Sequence, residues 1–444
     1  MKKGTGLAIK KVSLCSLDNY GLATIKSKAE KEKDDAPKDR FFYVHILFLI
    51  MGLMHMIPYS FFITANAYWM YKFRDVNANL TDASARTLLQ THFSPANSIM
   101  HAIVSPATML MSTFFGFKIK ARVRGLMSLS VMSFNFIAAT AFVKIDTDSW
   151  QVTFFVIIMA FLGMITIANS AISAANLAII SKFPPYYMKV YLFGEGLAGL
   201  CSATLQILSL AMGTSTEVSA LFYFIAGSSL MVLTLVLFYF SKYNKLFNHY
   251  VNSVVEDVNR DVLRLSEIKD LAKQIWAQIV ASLLMMLTMS PVTPNITTLV
   301  VSENYGSGSE WSDKYFVPVI TFLYSDVIGL FGRIASAKYN KIIGGVPFCL
   351  FMFVRMVIFV PLIYFCNAQP RNYLPVLFPH DWQYVLILFF YQFTGSFAFN
   401  LLFLDVGKVV GPKKAEDAYL VMMSIMSLST VLLLPVGMFS VDLL

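Results

Sequence analysis

The residues that could do chemistry in this chain are few, and they sit in apolar company. Glu195 lies between two glycines in Gly194-Glu195-Gly196-Leu197-Ala198-Gly199. Asp326 and Arg333 are seven positions apart in a stretch of aliphatic, aromatic and glycine residues. Seven residues of helix return to one face about 10.5 Å farther along the axis, a gap that a polar ligand, a water or another helix could bridge. Arg355, Asp405, His55 and His101 complete the set. Charged groups at depth in a bilayer are costly, and their default reading is a solute or ion path. Each also has a plainer reading. Asp326 and Arg333 could be a pair that holds helices together. Arg355 and Asp405 could sit near helix ends and snorkel to the surface. The histidines could be neutral packing residues, and the glycines could serve close helix contact.

The elements that must position these groups follow from composition. Of 444 residues, 57% are apolar and only 14% charged, against about 25% charged in soluble proteins. That excludes a disordered chain, a disulfide-stapled secreted module and an ordinary soluble enzyme. The chain reads as an all-α polytopic membrane protein with eleven spans of about 20 residues each. The organisation expected is a disordered tail over 1–41, a six-helix bundle over 42–241, a polar loop over 242–272 and a five-helix bundle over 273–444. The seventh span is expected at 273–294. Of the 35 lysines and arginines, 28 fall on the side of the N-terminus and central loop. The positive-inside rule then places the N-terminus in the cytosol and, with eleven spans, the C-terminus outside. Asn79-Leu80-Thr81 is a glycosylation sequon on the expected outer side, and Asn295-Ile296-Thr297 is a second, too close to a membrane end to be used.

Other classes find little support. The net charge of +9 resides at membrane edges and does not line a face for nucleic acid. Cys15, Cys201, Cys349 and Cys366 are scattered, which suggests neither a metal site nor a disulfide framework. No P-loop, GxSxG or HExxH motif is present, so no enzyme activity and no cofactor are expected. Six and five spans about a central loop match the two-bundle plan of many carriers, whose site lies between the halves near the midplane.

Several motifs in order give a sharper reading. The first span carries Gly52-Leu53 and then Pro58-Tyr59-Ser60-Phe61-Phe62-Ile63-Thr64-Ala65. The fifth reads GEGLAG, the eighth carries Tyr315–Val319 (YFVPV) and closes on Gly332-Arg333. NAQPRNYLPVLFPHDW begins at Asn367, and Gly411-Pro412-Lys413-Lys414 joins the last two spans. This series resembles the equilibrative nucleoside transporter family over nearly all of the hydrophobic chain. The resemblance implies a major-facilitator-like fold that moves nucleosides or nucleobases down their gradient by alternating access. It implies that Met56, Tyr59 and Ile63 line the outer pathway. Ser173 stands where nucleoside-binding relatives place a glutamine, with Asn176 one turn on. Asn169 and Gly194 stand at the family's fourth- and fifth-span glycine positions. Phe322 and Arg333 match, Arg333 as a ribose ligand. The family's aspartate position is Gly329 here, and Asp326 stands one turn earlier, where relatives carry asparagine.

The leading expectation is a facilitative nucleoside carrier of the plasma membrane. The base would pack among Met56, Tyr59 and Phe322, and the sugar would bond to Arg333 and Asp326. The alternative is an organic cation or monoamine carrier with Glu195 as counter-charge, since that branch of the family also has an acidic residue in the fifth span. Proton coupling is open under either reading, because Glu195, Asp326 and the histidines can titrate. The expected partners are a small solute and the lipid bilayer.

Overall fold

The computed structural model describes residues 37–64, 66–75, 87–212, 216–253, 263–293, 295–339, 345–369, 371, 373–411, 414–442 and 444. The first half contains α1 (Tyr43–Thr64), the short α2 (Asn66–Lys72), α3 (Leu88–Phe115), α4 (Ala121–Lys144), α5 (Gln151–Ile180), α6 (Pro185–Met212) and α7 (Thr216–Phe240). α8 (Lys245–Ser253) and α9 (Leu265–Gln274) lead into the second half. That half contains α10 (Trp276–Met289), α11 (Ser325–Lys338), α12 (Val346–Tyr364), α13 (Asp381–Val410) and α14 (Ala415–Asp442). Among the described residues, ten helical stretches are long and apolar enough to cross a membrane, and the bent pair α9–α10 supplies an eleventh.

The helices form because hydrocarbon leaves the backbone no other partner. Hydroxyls inside them return to the carbonyl four residues back, as in Thr166 to Leu162 and Thr234 to Leu230, both 2.8 Å. α3 starts on a capping box: the Gln90 amide donates to Thr87 Oγ1 and the Thr87 amide to Gln90 Oε1. Large apolar side chains such as Phe134, Phe222 and Leu432 point outward, as a lipid-facing surface requires. At the end of the first half remote from the central connection, Lys72 Nζ donates to the Ile145 carbonyl at 2.9 Å, and Arg74 pairs with Asp148 at 2.8 Å.

The seventh span departs from expectation. Instead of one helix over 273–294, the chain bends by 82° at Ile275. α9 carries Glu267, Lys269, Asp270 and Lys273 on its polar face and packs Leu271 inward, and Ile275 at the bend is buried too. Four charges in ten residues belong outside the hydrocarbon, so the helix turns aside. α10 has 14 residues, about 21 Å of helix, against a hydrocarbon core of about 30 Å. Irregular chain covers the remaining depth and is tolerated because it is enclosed by protein: Val292, Ile296 and Val300 are almost fully buried. Asn295 is tied down there by its bond to the Ser290 carbonyl. The stretch 242–272 is likewise more than a loop, since α8 and most of α9 fall in it.

The eighth span has a second irregularity. Trp311–Tyr315 and Val317–Tyr324 are wound as π-helix, with α-helix resuming at Ser325. Wide turns of this kind recur at functional sites, and here they end next to Asp326.

Candidate functional site

A cavity of about 300 Å³ lies between the halves. From the first half, α1 contributes His55 and Met56, α3 His101 and Ser105, α5 Asn169, Ser170 and Ser173, and α6 Tyr191 and Glu195. The second half contributes Phe399 and Phe403 of α13 and Met423, Met426, Ser427 and Thr430 of α14. The walls are thus mostly apolar, with a few polar groups converging from α1, α3, α5, α6 and α14, the usual composition of a small-molecule pocket.

Glu195 is the central group. Its side chain is 4% exposed. His55 Nδ1 lies 2.7 Å from Oε1, and the Arg333 guanidinium lies 3.5 Å from Oε2. Arg333 also donates to the Leu192 carbonyl at 2.8 Å and lies over the Phe399 ring, 5.2 Å from its centroid. The carboxylate therefore reaches the cavity with a cation directly behind it, which offsets much of the cost of burying either charge.

The glycines of the fifth span explain how these groups approach. A Cβ on Gly194 would lie 2.1 Å from the Leu49 carbonyl oxygen, and one on Gly52 would lie 2.0 Å from that of Tyr191. α1 and α6 thus cross backbone to backbone. A Cβ on Gly196 would lie 2.7 Å from Arg333 Cδ, and one on Gly199 would lie 2.5 Å from Asp326 Oδ1. The same motif welds α6 to α1 on one face and admits the charged side chains of α11 on another.

The structure brings Met56, Ser173 and Glu195 together in the cavity wall. Gly194 stands in the α1–α6 crossing, and Asn176 is fully buried outside the lining. Phe322 and Asp326 face a second, smaller cavity. The side chains of Tyr59 and Ile63, and all of Asn79, lie outside the described residues. Arg333 pairs with Glu195 of the other half, and among the described residues it makes no ion pair with Asp326 seven positions back, so the carboxylate nearest to it comes from another helix. Arg355 and Asp405 are not at the surface, being 3% and 0% exposed. Arg355 rests on the Tyr391 ring and donates to the Tyr391 carbonyl and Thr394 Oγ1, whereas Asp405 pairs with Lys408 at 3.0 Å. His55, expected as a hydrogen-bonded packing residue, is buried with Glu195 as its hydrogen-bond partner. The aromatic floor of Phe399 and Phe403 carried no signal among 39 phenylalanines.

At the end bearing the central connection the halves meet and the cavity is closed. Thr113 Oγ1 lies 2.9 Å from Ser424 Oγ, beside the buried cluster of Met109, Ala174 and Leu420. Lys189 Nζ donates to the Ala337 carbonyl at 2.6 Å. A net hydrogen bond contributes about 1 kcal/mol, so Thr113→Val with Ser424→Ala should shift the closed-to-open ratio at this end about fivefold. The measurement is labelling of a cysteine placed at Ser170 by an impermeant maleimide added from that side. An unchanged labelling rate would show that the pair does not hold the closure.

Two helical bundles closed on a mostly apolar cavity with a buried charge cluster, in a chain of membrane-spanning helices, define a membrane carrier. The model of a family described as nucleoside transporter matches residues 159–435, and the chain belongs to that family, a family of transporters and not of enzymes. It is similar to equilibrative nucleoside transporter 3 of Rattus norvegicus, 25% identical over 89% of this chain and 88% of the relative. It is also similar to equilibrative nucleoside transporter 1 of Homo sapiens, 24% identical over 87% of this chain and 94% of the relative. Among solved structures, the fold resembles the human organic anion transporter MFSD10, with a TM-score of 0.53 and 11% identity over 91% of this chain and 95% of that one. A bacterial homologue of the iron transporter ferroportin in an outward-facing state aligns with a TM-score of 0.54 and 11% identity over 89% of this chain and 92% of that one. At such identities these two likenesses bear on the fold alone. They agree with the major-facilitator-like fold that the family resemblance implies.

Proposed function

We propose that this chain is a facilitative carrier of nucleosides, with the cavity between the halves as its substrate site. The observation that carries the reading is Glu195, an acceptor presented at the wall of a partly aromatic cavity and held there by His55 and Arg333. The base packs against Phe399, Phe403 and Met56. The ribose hydroxyls donate to Glu195, and Asn169, Ser170 and Ser173 offer partners for the edge of the base. Transport needs no covalent step, only a solute bound in both outward- and inward-open states. The positive-inside distribution supports a cytosolic N-terminus, so the closed end faces the cytosol, and the plasma membrane is the site of action we infer.

The organic-cation reading fares less well, because Glu195 already has Arg333 beside it and offers a cationic solute little unpaired charge. Uptake of labelled uridine and adenosine in a transport-deficient host tests the proposal. Saturable uptake is expected, insensitive to tetraalkylammonium competitors. Absence of saturable uptake at every pH tried would remove the nucleoside reading.

A further inference from the structure

A groove of about 470 Å³ lies between the start of α1 and the end of α7, at the end bearing the central connection. Tyr43 and Leu47 of α1 and Leu237 and Phe240 of α7 make an apolar cleft, with Arg40 and Tyr243 at its edges. The two spanning stretches run over Arg40–Pro58 and Ala220–Tyr243, so Arg40 and Tyr243 stand where hydrocarbon gives way to headgroups. Tyr43 Oη donates to the Leu237 carbonyl and ties the two helices together here. Phe41 and Phe42 take left-handed backbone conformations, φ 58° and 53°, and are 90% and 69% exposed. Such a conformation costs about 1–3 kcal/mol per residue, and it leaves two aromatic side chains exposed at the membrane edge, where aromatic belts form.

The rim of the groove is basic. Lys242 Nζ lies 4.0 Å from the centroid of the Tyr239 ring and 4.8 Å from that of Tyr243, and it donates to Tyr239 Oη at 2.8 Å. Arg122 of α4 donates to the Tyr239 carbonyl at 3.1 Å and acts electrostatically on Tyr43, while its buried Nε has no hydrogen-bond partner among the described residues. Among those residues Arg40, Arg122 and Lys242 form no ion pair, and no carboxylate is among the groups that act on Arg122 or Lys242. Asp39, the neighbouring acid, is committed to α1: it accepts from the Val44 and His45 amides and lies 2.6 Å from His45 Nδ1. The chain before Arg40 holds more lysines than acids and supplies no net negative charge.

We infer that this groove is a binding site for an anionic glycerophospholipid of the adjacent leaflet, with an acyl chain in the cleft and the phosphate on Arg40 and Lys242. Basic pockets between membrane helices at a headgroup surface select anionic lipids, and a guanidinium can hold a phosphate through two parallel N–H donors. A soluble anion has no use for the apolar cleft, and a lipid without net charge leaves the three cations unmatched. A lipid seated here covers the contact that Tyr43 makes with Leu237 and braces α1 against α7.

The test uses the purified full-length protein without any nucleoside, and is therefore independent of which solute the main cavity takes. Protein stripped of lipid in detergent is titrated with phosphatidylserine or phosphatidylcholine of the same acyl chains, and retained lipid is counted by native mass spectrometry. Retention of one phosphatidylserine in preference to phosphatidylcholine is expected, and glycerophosphoserine, the headgroup without chains, should not compete. Arg40→Gln and Lys242→Gln should each lower the preference about fivefold. Arg40 is exposed, so its variant keeps the assay readable if the other folds poorly. Lys338, exposed at the end of α11 and outside the groove, is the control, and Lys338→Gln should leave the preference intact. Equal retention of the two lipids would overturn the inference, as would a preference undiminished in both groove variants. An equal loss in Lys338→Gln would also overturn it and make the attraction a diffuse one to the basic face. Full competition by glycerophosphoserine would overturn it in favour of a soluble phosphate ester.

Discussion

Glu195→Ala is expected to reduce nucleoside uptake to about 1% of wild type. The substitution removes the acceptor at the cavity wall and takes from Arg333 its ion-pair partner, leaving it bonded to the Leu192 carbonyl and lying over the Phe399 ring. Breaking a buried pair by deleting one partner costs about 3–5 kcal/mol, and 3 kcal/mol of lost binding or of displaced conformational equilibrium is more than a hundredfold. Glu195→Gln separates the contributions. It keeps an oxygen for His55 and for a sugar hydroxyl but loses the charge that neutralises Arg333, and about a tenfold loss is expected. The readout is uptake of labelled uridine per molecule of protein at the cell surface, so that poor delivery is not scored as poor transport. Wild-type uptake by the alanine variant would take Glu195 out of the transport path.

The second large effect is structural. Gly194→Val should prevent the first half from packing. Even the first carbon of the new side chain would lie 2.1 Å from the Leu49 oxygen and 3.0 Å from its carbonyl carbon. Both are backbone atoms of a helix that cannot move without breaking the reciprocal approach of Gly52 to Tyr191. Overpacking of a core costs about 1–3 kcal/mol when side chains can yield, and here backbone would have to. Loss of the monodisperse peak on size-exclusion chromatography is expected, together with a fall in Tm of the residual protein. Gly196→Ala is the contrast, since its new methyl meets the flexible Arg333 side chain. That variant should fold and be impaired in uptake. A Gly194→Val protein as stable as wild type would mean that α1 and α6 do not cross as closely as described.

Much of this architecture was legible in the sequence because hydrocarbon imposes simple rules. Span lengths, the central polar break and the lysine and arginine bias all report directly on the bilayer. The errors came where local composition and tertiary contact disagree. α10 looked like an ordinary span because apolar residues continue to Val292, but Pro291 and the enclosed chain after it are set by packing against the second half. Glu195, between glycines, stood out as a residue with no packing excuse. Its true partners did not, because His55 and Arg333 lie 140 and 138 positions away and no periodicity relates residues of different helices. That Asp326 and Arg333 share a helix face is visible in sequence, whereas a nearer carboxylate across an interface is not.

The reciprocal crossing of α1 and α6 has a consequence for the transport cycle. Helices locked carbonyl to glycine travel as one rigid piece, so the link from His55 to Glu195 is carried intact through every stage of the stroke. Arg333 belongs to the opposite piece, and its grip must be released and remade each time the barrier changes sides. Of the two neighbours that hold this carboxylate, one is a permanent companion and the other is a latch.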